Sequence, residues 1–199
     1  MKISKALPAG AMLALAVAAV PASALTVVYQ AILTGSAEAP PNGSAGLGVG
    51  LVTIDDVLNT MRVQVTFAGL SGLVTASHIH CCTAVASTGT AGVATVTPTF
   101  TGFPLGATFG SYDVTYNMTL PASFNAAYIT ANGGTAATAF AALSSGIASG
   151  KAYFNIHSSS FGGGEIRGFL SAVPEPGTYA LMFGGLALIG TRLRKLRQA

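Results

Sequence analysis

Hydrophobic and polar residues alternate along much of the chain between residues 25 and 172. In Thr60–Ala68 every second position is hydrophobic, and the positions between them are mainly polar. A period of two places the hydrophobic side chains on one face of a β-strand and the polar ones on the other. Segment 111–120 has the same pattern. We therefore predict two half-buried strands with these core-facing residues: Met61, Val63, Val65, Phe67, Tyr112, Val114, Tyr116 and Met118.

The turn residues Asp55, Asp56 and Asn59 lie between segment 46–54 and Thr60–Ala68. Such residues favour tight turns, so these two segments are predicted to form a β-hairpin. Two more strands are predicted at 151–157 and 165–170, joined by a loop that ends in three glycines. Together these segments favour an antiparallel sheet.

Within residues 25–172, helices are predicted only between the strands at 111–120 and 151–157. Segment 121–130 begins with proline and ends before Asn132, and the alanine-rich segment 135–147 places Phe140 and Leu143 on one face. The sequence therefore predicts a mainly β fold. We expect an antiparallel, Greek-key-like β-sandwich with one or two short helices in a crossover, flanked by an N-terminal signal segment and a C-terminal hydrophobic helix.

The first 24 residues have the pattern of a secretory signal peptide. Lys2 and Lys5 precede an apolar stretch at 9–20, and Pro21 is followed by the small residues Ala22-Ser23-Ala24. This pattern predicts cleavage after Ala24 by signal peptidase. The alternative is an N-terminal anchor that stays attached, for which the apolar stretch is short.

The last 27 residues, 173–199, contain three successive parts. Val173-Pro174-Glu175-Pro176-Gly177 is followed by an apolar stretch at 178–190 and then by clustered basic residues, Arg192, Arg194, Lys195 and Arg197. The prolines keep the first part extended. The apolar stretch is shorter than the roughly 20 residues of a full membrane span, which flanking residues and snorkelling arginines could extend.

This arrangement resembles the PEP-CTERM sorting signal of Gram-negative bacteria. The resemblance implies processing by an exosortase, an integral-membrane cysteine protease, near Pro174-Glu175-Pro176. It also implies transient anchoring in the inner membrane, then a location at the cell surface or in the extracellular matrix, often beside exopolysaccharide. A plain C-terminal anchor is the alternative.

The charge distribution argues against a nucleic-acid-binding protein. The 199-residue chain has a net charge of +3 but only 8% charged residues. Most of its basic residues lie in the two terminal segments, whereas residues 25–172 contain three basic and five acidic residues. A mildly acidic domain without a basic stripe does not have the electrostatic character of a nucleic-acid-binding surface.

The three histidines of the chain occupy strand positions that face away from the predicted core. His78 and His80 flank the core-facing Ile79, and His157 follows Ile156. The side chains of two histidines at positions i and i+2 project from the same face of a strand. A third histidine from another strand could therefore complete a copper or zinc site. No cofactor is required by this pattern, because the histidines could instead join Asn155, Glu165 and Arg167 in a hydrogen-bonded lattice that sets strand register.

Cys81 and Cys82 follow His80 directly. Export places them in an oxidising compartment, which favours a disulfide between these adjacent residues. The alternative is a pair of thiols that binds a soft metal beside the histidines.

Several segments together resemble the CHRD domain, named after chordin. They are LTGSAEAPP at 33–41, FAGLSG at 67–72 followed by ASHIH at 76–80, GKAYFNIHS at 150–158, and GGEIRG at 163–168. The resemblance implies a compact β-rich domain without an assigned molecular activity. The stretch from Gly69 to His80 also resembles the strand of copper/zinc superoxide dismutase that bears two copper ligands. Three histidines are too few for the complete two-metal site, so this second resemblance implies at most one copper.

We therefore expect an exported, non-enzymatic structural or binding module with three parts: signal peptide 1–24, β-sandwich domain 25–172 and sorting segment 173–199. The alternative is an exported metal-binding redox protein that uses His78, His80 and His157.

Overall fold

The strands predicted from the two-residue alternation all belong to one antiparallel sheet. The computed structural model describes residues 26–174, 184–186 and 189. The strands in this part of the chain are β1 (Val27–Thr34), β2 (Leu47–Asp55), β3 (Thr60–Ala68), β4 (Val74–Cys81), β5 (Gly110–Asn117), β6 (Ala152–Ser158), β7 (Ile166–Phe169) and β8 (Ser171–Ala172). The helices are α1 (Ala126–Ala131) and α2 (Ala136–Ala148), with 3-10 turns at Gly35–Ala37 and Pro121–Ser123.

The sheet has the strand order β4-β6-β7-β1-β2-β3-β5, and β8 pairs with β1 beside this path. It curls around a single hydrophobic core, so the predicted mainly β, antiparallel, sandwich-like fold is confirmed. The predicted hairpin is β2–β3, whose turn is closed by the carboxylate of Asp55, which accepts from the amides of Val57 and Leu58.

The hydrophobic positions of the alternating strands form the core as predicted. Met61, Val63, Val65 and Phe67 of β3 are all buried. In β5, Tyr112 and Tyr116 are buried and their hydroxyls hydrogen-bond to each other. Phe100, from the long connection between β4 and β5, packs against both tyrosines and against Phe154 of β6. This connection therefore fills the space between the two ends of the curled sheet.

The sequence pattern did not predict β1 and β8. β1 lies between β2 and β7. Its sequence, VVYQAILT, has consecutive hydrophobic residues near both ends, and these interrupt the alternation of hydrophobic and polar positions. β8 is two residues long and pairs with Tyr29 and Gln30. The amide of Val173 then donates to the carbonyl of Val28, so strand pairing continues to the residue before Pro174.

The predicted start of the first helix, at Pro121, was wrong. Residues Pro121–Ser123 form a 3-10 turn, and Asn125 begins α1 because its side chain accepts from the amide of Ala127. A side-chain acceptor of this kind satisfies an amide that the first helical turn leaves unpaired. The second helix, predicted at 135–147, is α2 with Thr135 as its N-cap, and it buries Phe140 and Leu143.

Several sequence predictions concern residues outside the part that the structure describes. These are the signal peptide at 1–24, Glu175 and Pro176 of the sorting motif, and the basic residues Arg192, Arg194, Lys195 and Arg197. Most of the apolar stretch at 178–190 also lies outside it. Among the helices that are described, none combines the length and hydrophobicity needed to cross a bilayer.

Candidate functional site

Strand register brings the predicted polar residues into rows on one face of the sheet. His78 of β4 lies opposite Asn155 of β6, which lies opposite Arg167 of β7. In the next row, His80 lies opposite Tyr153. Residues directly opposite each other in antiparallel strands share a face, so these side chains lie on the side away from Ile79 and the core.

This face, which the strand pattern placed on the side away from the core, is itself buried. The exposed fraction is 2% for Asn155, 5% for Arg167, 6% for His78 and 8% for His80. Two loops cover the face: one includes residues 89–98, after β4, and the other residues 158–164, after β6. The sheet therefore has a hydrophobic core on one side and, near β4, β6 and β7, a polar layer under loops on the other.

Each histidine hydrogen-bonds through one ring nitrogen to a backbone carbonyl of these covering loops. His80 Nδ1 lies 2.9 Å from the oxygen of Ala91, and His157 Nδ1 lies 2.9 Å from that of Gly162. His78 uses Nε2 instead, with the oxygen of Pro98. A carbonyl only accepts hydrogen bonds, so each contacting nitrogen carries the proton, and in a neutral ring the other nitrogen keeps its lone pair.

The second ring nitrogens are buried and have no hydrogen-bond partner. They are His78 Nδ1, His80 Nε2 and His157 Nε2. One ring nitrogen from each histidine lies within 4.8 Å of the others, and the ring centroids are 5.4–5.9 Å apart. The structure thus brings together the three histidines that the sequence singled out, and it leaves one lone pair on each.

Burial lowers the pKa of all three histidines. The effect is largest for His80, whose pKa falls to about 4 because burial outweighs the hydrogen bond to Ala91. For His78 and His157 the pKa is also lowered, first by burial and against the opposing effect of their carbonyl partners. The rings are therefore neutral at neutral pH.

Arg167, predicted to join the lattice, pairs with Glu38, a residue not singled out as a candidate. Arg167 Nε lies 3.7 Å from Glu38 Oε2 and donates to the carbonyl of Ala37, and another guanidinium nitrogen donates to Gly89. The guanidinium also lies over the ring of Tyr153. Arg167 therefore joins the segment after β1 to the loop that covers the histidines.

Glu38 is an unusual carboxyl group because it is only 7% exposed. Burial raises its pKa to about 7, although Arg167 and the amide of Ala39 act in the opposite direction. Glu38 Oε1 has no hydrogen-bond partner. Gly164 packs so closely against this oxygen that a Cβ added to the glycine would lie 2.6 Å from it and 2.7 Å from the side-chain amide nitrogen of Asn155. The only sequence signal for Glu38 was its position as the single acid in LTGSAEAPP.

Glu165, also predicted to join the lattice, serves a different part of the molecule. Its carboxylate accepts from the hydroxyl of Ser44 at 2.6 Å and from the amides of Ser71 and Gly72. Burial alone would raise its pKa, but these hydrogen bonds and one from Ser158 lower it below its usual value. Glu165 and Arg167 are thus partners of different loops, although the strand pattern placed them on one face.

Cys81 and Cys82 are joined in a disulfide at the end of β4. The pair therefore offers no thiolate to a metal, in contrast to the second alternative left open by the sequence. The disulfide lines a cleft of about 450 Å³ together with Val93, Asn125, Tyr128 and Asn132. Gly146 of α2 packs against the disulfide so closely that a Cβ at this position would collide with both sulfur atoms.

Comparison with known families agrees with two of the three resemblances described above, those to the CHRD domain and to the PEP-CTERM signal. The family model for the CHRD domain matches residues 29–170. The model for the PEP-CTERM protein-sorting motif matches residues 172–197. Searches of curated proteins and of solved structures give no match to the chain.

Proposed function

This chain belongs to the CHRD domain family, and from that premise we propose that its folded domain is a non-enzymatic structural or binding module of the cell surface or the extracellular matrix. The PEP-CTERM motif implies export and processing by an exosortase, with the motif as a membrane-anchored sorting signal. The finer proposal concerns what remains after processing, which is the loop-covered β domain.

The observation that carries this proposal is the position of the sorting motif relative to the sheet. The motif match begins at residue 172, and Ala172 is the last residue of β8. Val173 still hydrogen-bonds to Val28, whereas the next residue, Pro174, is exposed. Cleavage at or after Pro174 would therefore remove the sorting segment and leave every strand of the sheet intact.

We further propose the route by which the domain reaches its location. Signal peptidase removes residues 1–24, the C-terminal segment holds the chain briefly in the inner membrane, and exosortase cleavage releases or re-attaches the domain. Exopolysaccharide is the proposed partner in the matrix. The loops are rich in glycine, serine and threonine, a composition that suits a solvated, extracellular setting.

Replacing Pro174, Glu175 and Pro176 by alanine tests the processing step. The wild-type chain, expressed in a host that has an exosortase, should lose its C-terminal segment and leave the inner-membrane fraction. The triple variant should stay there with the segment attached. Thr88→Ala, a change in an exposed loop, is the matched control and should be processed normally. Equal release of the triple variant would contradict exosortase processing at this motif.

Co-sedimentation of the processed protein with extracellular polysaccharide from the same host tests the partner. Binding that is saturable and absent for an unrelated exported domain is expected. A processed protein that stays in the supernatant at every polysaccharide concentration would contradict the proposed partner, while leaving the processing step intact.

The second candidate function is that of a metal-binding redox protein. The specific observation that favours it is the cluster of three buried histidine nitrogens without hydrogen-bond partners. A redox role requires a bound copper ion that changes oxidation state. Electron paramagnetic resonance of the copper-loaded chain, before and after ascorbate, would show loss of the Cu(II) signal, and reoxidation in air would restore it. A zinc-only site would contradict this candidate.

A further inference from the structure

We propose that His78, His80 and His157 form a binding site for a single copper or zinc ion. This inference is independent of how the chain is exported, since it rests only on the side chains of β4, β6 and their covering loops. It concerns the ligand set itself and holds whether or not the ion has redox chemistry.

The first argument is the orientation of the rings. Each ring is held by a hydrogen bond from its other nitrogen to a loop carbonyl, of Pro98, Ala91 or Gly162. Metal-binding histidines commonly have this second contact, which selects the tautomer and directs the remaining lone pair at the ion. Here three carbonyls from two different loops select the tautomers of three rings whose centroids lie 5.4–5.9 Å apart.

The second argument is the state of the three remaining nitrogens. Each is buried, and none has a hydrogen-bond partner. Buried polar atoms in proteins are nearly always satisfied, so three such atoms in one cluster require an explanation. An ion bound between them would satisfy all three at once, whereas a register lattice would pair them with neighbouring donors.

The third argument is distance. The three candidate ligand atoms lie within 4.8 Å of one another. Two nitrogens bound to one zinc ion at 2.0–2.1 Å in tetrahedral geometry are roughly 3.3 Å apart. The nitrogen–nitrogen separations must therefore shorten by at most about 1.5 Å, a movement shared between the rings. Because the terminal torsion of histidine has a broad energy minimum, small rotations accommodate this movement without a change in the strands.

The chemistry of the ligand set selects the ion. Within the described part of the chain, the cluster contains imidazoles only, without a carboxylate or a thiolate. Neutral imidazole suits copper and zinc, whereas calcium and magnesium require oxygen ligands. Three protein ligands also leave a coordination position for an external ligand, as in catalytic rather than structural zinc sites.

Metal binding by the full chain, purified in detergent, tests the site. The stripped protein is incubated separately with Zn²⁺, with Cu²⁺ and, under anaerobic conditions, with Cu⁺, then dialysed and analysed by mass spectrometry. We expect one ion per chain in at least one arm, and the arm that retains it identifies the metal. X-ray absorption at the edge of that metal should show imidazole scattering from about three ligands.

The variants His78→Ala, His80→Ala and His157→Ala should each weaken binding at least tenfold. Asp113→Asn, a change in an exposed carboxylate on β5, is the matched control and should bind like wild type. Circular dichroism establishes that each variant is folded. If a variant fails to fold, the X-ray absorption spectrum of the wild-type complex still shows whether histidines bind the metal.

Three outcomes would overturn the proposal. They are folded wild-type protein that retains none of the three ions, retained metal without imidazole scattering, and stoichiometric binding that survives loss of any one of the three histidines. None of them would bear on exosortase processing, which is measured separately.

Discussion

The ring of His80 stacks on the ring of Tyr153, with centroids 4.8 Å apart and planes 6° from parallel. Tyr153 also supports the guanidinium of Arg167, whose carbon lies 4.7 Å from the ring centroid. One aromatic residue thus contacts both the histidine cluster and the buried pair of Arg167 and Glu38. It also joins the covering loop, because its hydroxyl hydrogen-bonds to the backbone of Ala91.

Two substitutions at Tyr153 should separate the ring from its hydroxyl. Tyr153→Phe removes only the hydrogen bonds to Ala91 and should lower the free energy of unfolding by about 1 kcal/mol. Tyr153→Leu also removes the stacking and the cation–π contact and should lower it by about 3 kcal/mol. Urea unfolding measures both values. Equal losses for the two variants would show that the stacked ring adds nothing to stability.

Glu38 should make the stability of the protein fall as pH rises. Its pKa is raised from 4.5 to about 7 in the folded state, so the folded protein holds this proton more tightly than the unfolded chain. The contribution is therefore fully present below about pH 4.5 and is lost as pH rises towards 7. The difference in free energy of unfolding between wild type and Glu38→Gln should decrease across this range.

Asp113 provides the contrast for this measurement. Its pKa is lowered, mainly by the hydrogen bond from Arg62, so its contribution is present above its unfolded pKa and is lost as the solution becomes more acidic. The difference between wild type and Asp113→Asn should change with pH in the opposite sense. Parallel pH profiles for the two pairs would argue against a buried, proton-holding Glu38.

Glu165→Gln should destabilise the protein by about 2–3 kcal/mol, measured by urea unfolding. The carboxylate accepts from Ser44 and from the amides of Ser71 and Gly72, and an amide side chain would turn a donor towards one of these donors. Asp113→Asn is the control, because its partner Arg62 is half exposed and exposed ion pairs contribute little to stability. Similar losses for both variants would mean that burial of Glu165 is unimportant.

Gly146→Ala should destabilise the protein, although alanine normally stabilises a helix interior by about 1 kcal/mol relative to glycine. The added Cβ would collide with the sulfur atoms of Cys81 and Cys82. Overpacking of this kind typically costs about 1–3 kcal/mol. Ser145→Ala, at the neighbouring exposed position of α2, should be neutral or slightly stabilising. Thermal unfolding of both variants measures the difference.

The same clash can be tested by removing the sulfur atoms. In a background with Cys81→Ala and Cys82→Ala, Gly146→Ala should lose most of its cost, since residues in contact show non-additive effects. An unchanged cost in that background would place the conflict elsewhere in α2.

In β3 and β4, local periodicity was sufficient to predict which side chains face the core. A strand turns its side chains to opposite faces at every step, so the alternation in β3 predicted the burial of Met61 and Phe67. The same rule placed His78 and His80 on one face, on either side of the buried Ile79. These predictions succeeded because they depend on the backbone of a single strand.

Partners between distant segments could not be obtained in this way. The register of β4 against β6 brings His157 to His78, and the loops after these strands bury the face that lies away from the core. Arg167 and Glu165 lie on the same face of one predicted strand but contact different loops. Glu38, in the segment that follows β1, pairs with Arg167. Register and loop closure are set by packing over the whole domain, and no repeat along the chain encodes them.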